Sequence, residues 1–292
     1  MPRTPISRQV GAPRRKARQS TSRSRKLRKR ASPELARLGW AMRWLGILKY
    51  LPSSIQFMAG LMFVGALLLG GNWCYQIYHK PSELFFPVSS AFYKRPSATW
   101  QAYGALFKRN STEVMTPTLL AALAQTEASG NPVARTYWRW SFAPDLLKIY
   151  RPASSAVGMF QITDGTFKEA RQYCIRDHQV TRSGRWDDWR SCWFTGLYTR
   201  VLPSHAVELT AANLDRHVTD ILAHEGLQDV SLAQKQDVAI ITHLCGAGAA
   251  ATFAARGLRL ATGQHCGDHD VSLYLSRVRT LERYFRVIAS RD

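Results

Sequence analysis

Acidic residues are scarce in this chain, with 20 Asp and Glu against 40 Lys and Arg over 292 residues. They are scarcest at the start. Residues 1–50 hold one acid, Glu34, against fifteen Lys and Arg, a net charge of +14. The rest carries 25 basic and 19 acidic side chains, or +6, so the total of +20 reflects an N-terminal tail and not a basic domain. From Leu51 to Tyr78 charge of either sign is absent: LPSSIQFMAGLMFVGALLLGGNWCYQIY. A bilayer core takes about 20 apolar residues in a helix. A buried core helix seldom stays uncharged for so long. The run therefore reads as one transmembrane helix, residues 51–78. Basic residues before such a helix hold their flank in the cytoplasm. Residues 1–50 then form a cytoplasmic tail, and everything after the helix lies outside the cytoplasmic membrane. Basic blocks also bind nucleic acid, but ahead of a membrane segment this one reads as a topology signal. No nucleic-acid partner is expected.

Other absences narrow the reading. No A-x-A-like site follows the apolar run, so an uncleaved anchor fits better than a removable signal. Trp73, not a small residue, precedes Cys74, which argues against a lipoprotein. No C-x-x-C pair and no His/Cys cluster points to a metal, and no cofactor is expected. Cys174, Cys192, Cys245 and Cys266 fall in the exported part, where an oxidising compartment permits disulfides. There is no internal repeat and no alternating strand longer than a few residues, so the exported part should be mostly α-helical.

Residues 79–96, with Pro81, Pro87 and Pro96, read as a linker. A chain beginning near Tyr93 is accordingly expected to stand alone. The domain proper is residues 97–292. Ser97 could cap a helix through Lys108. Thr116-Pro117 is a strong helix start and Gly130 with Pro132 a strong stop, giving a helix over about 117–129. An aromatic stretch over 133–155 follows. Helical signals resume near 164–173, 186–198, 213–224, 232–244, 249–256 and 271–288.

Within TPTLLAALAQTEASG, Leu120, Leu123, Ala124 and Glu127 share one helical face, and it is apolar. A carboxylate there is costly unless neutral or partnered. Burial raises its pKa, as a general acid needs near neutral pH. Gln at 127 would on that basis stabilise the domain at neutral pH. The plainer alternative is a glutamate near a helix end turned to solvent.

The next segments bear on this choice. EASGNP (Glu127, Asn131, Pro132) followed by SSAVGMFQIT (Gly158, Met159, Phe160, Gln161, Ile162) resembles the transglycosylase domain of the soluble lytic transglycosylase family. The resemblance spans about 97–292. It implies a lysozyme-like, mainly helical fold behind the membrane helix, Glu127 as the catalytic residue, and a groove lined by Gly158, Met159, Phe160 and Gln161. Tyr274 in LYLSRV resembles the family's late Tyr that points at the catalytic Glu. Two departures stand out. Ala128 replaces the family's Ser, leaving Ser129, Ser154 or Ser155 to supply a hydroxyl. Thr242–Gly246 aligns with A-Y-N-A-G, so His243 and Leu244 replace its Tyr and Asn. His243 is either a substrate contact or a structural polar residue.

The resemblance implies cleavage of the MurNAc–GlcNAc bond of peptidoglycan glycan strands. Glu127 would protonate the bridging oxygen, then take a proton from the C6 hydroxyl, leaving a 1,6-anhydro end. Hydrolytic glycosidases use two carboxylates. Asp145, Asp164, Asp187 and Asp188 are available as a second, so a hydrolytic lysozyme stays open. So does a non-catalytic wall-binding scaffold of a secretion or pilus machine, and a membrane protein whose tail recruits nucleic acid. Tyr137, Trp138, Trp140 and Phe142 are candidates for a sugar-stacking wall, or for core packing or contact with the membrane interface. Disulfides Cys174–Cys192 and Cys245–Cys266 are expected, with Cys74 unpaired.

Overall fold

A computed structural model describes residues 52–141, 148–182, 184, 187–188 and 191–292. The expected basic tail, Phe142, Asp145 and Trp186 lie outside the described residues. The chain divides into two units, residues 1–63 and 64–292. It is mostly helical, with eight α-helices among the described residues: α1 (Ser53–His79), α2 (Pro96–Arg109), α3 (Pro117–Ala128), α4 (Asp164–Ala170), α5 (Pro203–His224), α6 (Leu232–Cys245), α7 (Ala247–Ala255) and α8 (Val271–Ala289). Three antiparallel two-stranded ribbons punctuate them: β1 (Trp138–Trp140) with β2 (Tyr150–Pro152), β3 (Tyr173–Arg176) with β4 (Gln179–Arg182), and β5 (His265–Cys266) with β6 (His269–Asp270).

Helix α1 is long and apolar enough to cross a membrane, and Phe57, Met62, Phe63 and Leu67 stand exposed along it. Its polarity changes near the end. Asn72 is buried and donates to the Tyr150 carbonyl of β2 at 2.6 Å. Gln76 is buried as well.

The linker expected over 79–96 is a packed strap. It folds as two 3-10 turns, Pro81–Phe85 and Ser89–Phe92. Glu83 is wholly buried and faces Lys80 at 3.4 Å, Arg135 at 3.5 Å and the Trp138 indole N–H at 2.7 Å. Asn131, also wholly buried, donates to the Ser89 carbonyl at 2.7 Å. Proline density suggested a loose chain, but a buried carboxylate that accepts from Arg135 and Trp138 and pairs with Lys80 ties the strap to the domain.

Helix boundaries follow local chemistry. The Thr116 side chain caps α3 by accepting from the Leu119 N–H, with Pro117 in the first turn. Ser129, at φ 49°, and Gly130, at φ 65°, then end the helix in left-handed conformation. Ser231 and Gln234 form a reciprocal capping box on α6. Two boundaries differ from the sequence reading. Helix α5 begins at Pro203, ten residues before the expected 213. Of the helix expected over 186–198, the described part is a single 3-10 turn, Trp193–Leu197.

Helix α3 is the hub, packed between α2 and α8. Leu119, Leu120, Leu123 and Ala124 are wholly buried, as are Phe107, Met115, Val207, Leu209, Ile240, Ile241, Val278 and Phe285. Disulfides Cys174–Cys192 and Cys245–Cys266 are both present, and Cys74 is free and exposed.

Candidate active site

Glu127 is the penultimate residue of α3, on the apolar face as expected, with its side chain 17% exposed. Two groups from distant segments meet its Oε1. The Tyr274 hydroxyl, from the first turn of α8, donates to it. The His243 Nε2, from the last turn of α6, lies 3.6 Å away. That is too long for a hydrogen bond and within ion-pair reach. His243 is itself only 12% exposed.

The electrostatics correct the expectation of a raised pKa. Burial does push the Glu127 carboxyl up. His243, through its polar contact and its charge, the Tyr274 hydroxyl and the charge of His269 together outweigh burial and hold it below its ordinary value. Tyr274 shifts the other way. Burial and then the neighbouring Glu127 charge keep its hydroxyl far above the usual tyrosine range, so it remains a proton donor.

Cavities open beside both partners. One of about 170 Å³ reaches His243 and is lined by Gln161, Thr166, Glu169, Thr210, Asn213 and His217 over an apolar floor that includes Leu209 and Ala247. Another, of about 690 Å³, reaches Tyr274, Ser129 and His269. In the first, the buried Thr210 Oγ1 and Asn213 Oδ1 find no hydrogen-bond partner among the described residues. Buried polar atoms are nearly always satisfied, so these two stand out in the cavity wall. Glu169 is held by Arg216 and, at 3.3 Å, by His217.

No protein-family model, curated protein or solved structure matches this chain.

The residues expected at a substrate site sort into three groups. Glu127, Tyr274 and His243 converge, and Gln161 lines the His243 cavity. Gly158, Met159 and Phe160 do not line it. Met159 and Phe160 are wholly buried core residues. Gly158, at φ 78°, lies so close to the Arg200 carbonyl that a Cβ would collide with it. The segment shapes the backbone that presents Gln161, itself at φ 47° with its amide donating to the Gly158 carbonyl at 2.8 Å.

Ser154, Ser155, Trp138 and Trp140 lie elsewhere. The two serine hydroxyls accept from the backbone N–H groups of Ala156 and Asp164, and neither is a partner of Glu127. Trp138 and Trp140 stack on Tyr150 with ring centres 5.0 and 4.7 Å apart, on the ribbon that Asn72 contacts. None of the four lines the cavity beside His243 or the one beside Tyr274. Sequence reasoning missed Glu169, Thr210, Asn213, His217 and His269. A signal existed for three of them: Thr210, Asn213 and His217 are spaced i, i+3, i+7 along α5, a polar stripe on one face.

Proposed function

We propose that this chain is a membrane-anchored lytic transglycosylase with a lysozyme-like domain, cleaving peptidoglycan glycan strands outside the cytoplasmic membrane. The observation that carries the reading is a mostly buried carboxylate, Glu127, met by Tyr274 and by His243, which lines a polar-walled cavity. Support also comes from the EASGNP and GMFQI segments, from the apolar helix α1 and from two disulfides in the part after it.

The lowered pKa of Glu127 is compatible with an acid role. In the free site the groups around Glu127 favour the ionised carboxylate. A glycan entering the cavity displaces water, and a drier site favours a carboxyl that has taken up a proton over a buried charge. The proton then sits on Glu127, facing the glycosidic oxygen. After transfer the carboxylate regains its Tyr274 and His243 partners and is ready to take a proton from the C6 hydroxyl. The membrane and a wall-crossing secretion machine are the natural partners of an enzyme so anchored.

A second reading has one specific observation behind it. Glu169 lines the same cavity as His243 and could activate water as the second carboxylate of a hydrolase. Digestion of purified sacculi with the full chain, followed by mass spectrometry, separates the two. Ends carrying 1,6-anhydro-MurNAc support the lytic reading, and reducing ends support the hydrolytic one. Intact sacculi would reject both.

A further inference from the structure

The strap after α1 is built inside out. Over residues 81–93 the polar side chains Ser82, Glu83 and Ser89 are buried, while Leu84, Phe86, Val88, Phe92 and Tyr93 stand exposed. Leu84, Phe86, Val88 and Tyr93 are each at least half exposed. Glu83 is the one charged residue in the segment, and it faces inward. Single exposed apolar residues are ordinary on a protein surface. A run of them whose polar neighbours turn inward marks a contact surface.

The position of the strap names what it contacts. Helix α1 ends at His79 and the first turn of the strap begins at Pro81, so no slack separates them. The residue between, Lys80, is buried and donates to the Thr136 hydroxyl and the Ser154 carbonyl, each at 3.1 Å. Two turns earlier, Asn72 is tied to the Tyr150 carbonyl of β2, and Trp138 of β1 is tied to Glu83 of the strap. The last turns of α1, the β1–β2 ribbon and the strap are thus fastened together. A membrane helix that enters a folded domain without slack leaves the surface around its exit at the bilayer. That surface carries the side chains such a boundary takes: Trp73 and Tyr78 are exposed on α1, and Tyr137 and Trp140 on and beside β1. Trp and Tyr concentrate at membrane interfaces because their rings are apolar and their tips polar.

The strap also marks one end of the domain. It is fastened to the C-terminal end of α3, where the Lys94 N–H donates to the Ser129 carbonyl at 2.8 Å and Asn131 to the Ser89 carbonyl at 2.7 Å. Leu232, as exposed as the strap's apolar residues, lies one turn before Gln236, which donates to the Thr116 hydroxyl at the N-terminal end of α3 at 3.3 Å. The 12 residues of α3 set these ends about 18 Å apart, at about 1.5 Å per residue.

We propose that the strap and the β1–β2 ribbon dock on the bilayer leaflet from which α1 emerges, with Leu84, Phe86, Val88 and Trp140 in its interfacial layer. The inference rests on α1 anchoring the chain in a membrane and is independent of the chemistry of Glu127. Because the strap holds Ser129 and Glu127 lies two residues before it, docking would also set the height of Glu127 over the membrane.

The test uses the full chain in vesicles of phosphatidylcholine and phosphatidylglycerol. Cys74→Ser removes the free thiol, and a nitroxide is attached to one new cysteine at a time: Phe86→Cys, Val88→Cys, Leu68→Cys on α1, or Leu232→Cys. All four positions are about half exposed, so none is needed for packing. Relaxation by oxygen, which dissolves in lipid, and by a nickel chelate, which stays in water, reads the surroundings of each label. The oxygen-to-nickel ratio at Phe86 and Val88 should lie several-fold above that at Leu232 and near that at Leu68. If Phe86 and Val88 match an aqueous Leu232 while Leu68 sits in lipid, the docking proposal is overturned and the anchor stands. If Leu68 is aqueous as well, α1 does not span the bilayer and both fail. A lipid-like ratio at Leu232 overturns the proposal, because then no one face is docked. So does spin–spin broadening at Val88 with shielding from both reagents, which would mark a second copy of the chain on the strap.

Discussion

Replacing Glu83 with leucine tests whether the strap is part of the fold. Its carboxylate is wholly buried and meets Lys80, Arg135 and the Trp138 indole. The three donors do not suffer equally from its loss. Arg135, with its side chain 20% exposed, can turn toward water. Lys80, at 5% exposure, cannot, and keeps only neutral acceptors, the Thr136 hydroxyl and the Ser154 carbonyl, each at 3.1 Å. Removing one partner of a buried ion pair costs about 3–5 kcal/mol because the other charge is stranded. A domain of this size loses about 2–4 °C of Tm per kcal/mol, so the midpoint should fall by about 6–20 °C. Circular dichroism melts of the full chain in detergent measure it. Lys80→Met added to Glu83→Leu should restore much of the loss, since a buried pair replaced by apolar side chains is often neutral. The same logic revises the expectation for a chain beginning near Tyr93, which lacks Glu83 and Ser89 and should melt lower than one retaining the strap. A Tm change under about 2 °C for Glu83→Leu would refute the strap as a structural element.

Glu127→Gln should lower turnover on sacculi by about 10²–10⁴, the usual share of a general acid–base; near-native product yield would remove Glu127 from the mechanism. Its effect on stability has a definite sign. A folded pKa held below the unfolded value means the carboxylate stabilises the native state above about pH 4.3, and that contribution disappears on acidification through the folded pKa. Gln should therefore destabilise at neutral pH, opposite to the sequence expectation, with the gap closing in acid; melts across pH decide it. Tyr274→Phe removes a charged hydrogen bond worth about 1.5–3 kcal/mol and should slow turnover about tenfold to a hundredfold while the fold persists by circular dichroism. Gly158→Ala should cost at least about 2 kcal/mol in urea unfolding, from its left-handed backbone and the collision with Arg200. Replacing Cys245 and Cys266 by alanine should cost about 3 kcal/mol by the loop-entropy argument, for a sequence separation of 21; an unchanged urea midpoint would reject it.

Local signals in the sequence were legible where short-range chemistry decides structure. Thr116-Pro117 and Gly130 mark α3 to within a residue, because capping and left-handed backbone are properties of a few adjacent atoms. The uncharged run marks α1 as well. Residues 79–96 misled because nothing in PSELFFPVSS announces that Glu83 will be buried among donors 52 and 55 residues later. The Gly-Met-Phe-Gln segment was located correctly, but which of its side chains face a cavity depends on the turn at Gly158 and Gln161. The α5 stripe was cut off because Pro203 was not taken as a helix start, which left Thr210 outside the expected helix.

The sign of the Glu127 shift shows where a single-helix argument stops. On α3 alone, burial is the only force in view, and it points upward. The opposing groups arrive from elsewhere: His243 ends α6, and His269 and Tyr274 flank the start of α8. Cys245 follows His243 by two residues, and Cys266 precedes His269 by three. The disulfide between them thus joins the two segments whose histidine charges act on the carboxylate. It holds in place the electrostatics that α3 cannot supply. That gives the Cys245–Cys266 bond a role beyond the loop entropy it removes, because loosening it would let His243 and His269 drift and return Glu127 toward the burial-dominated state.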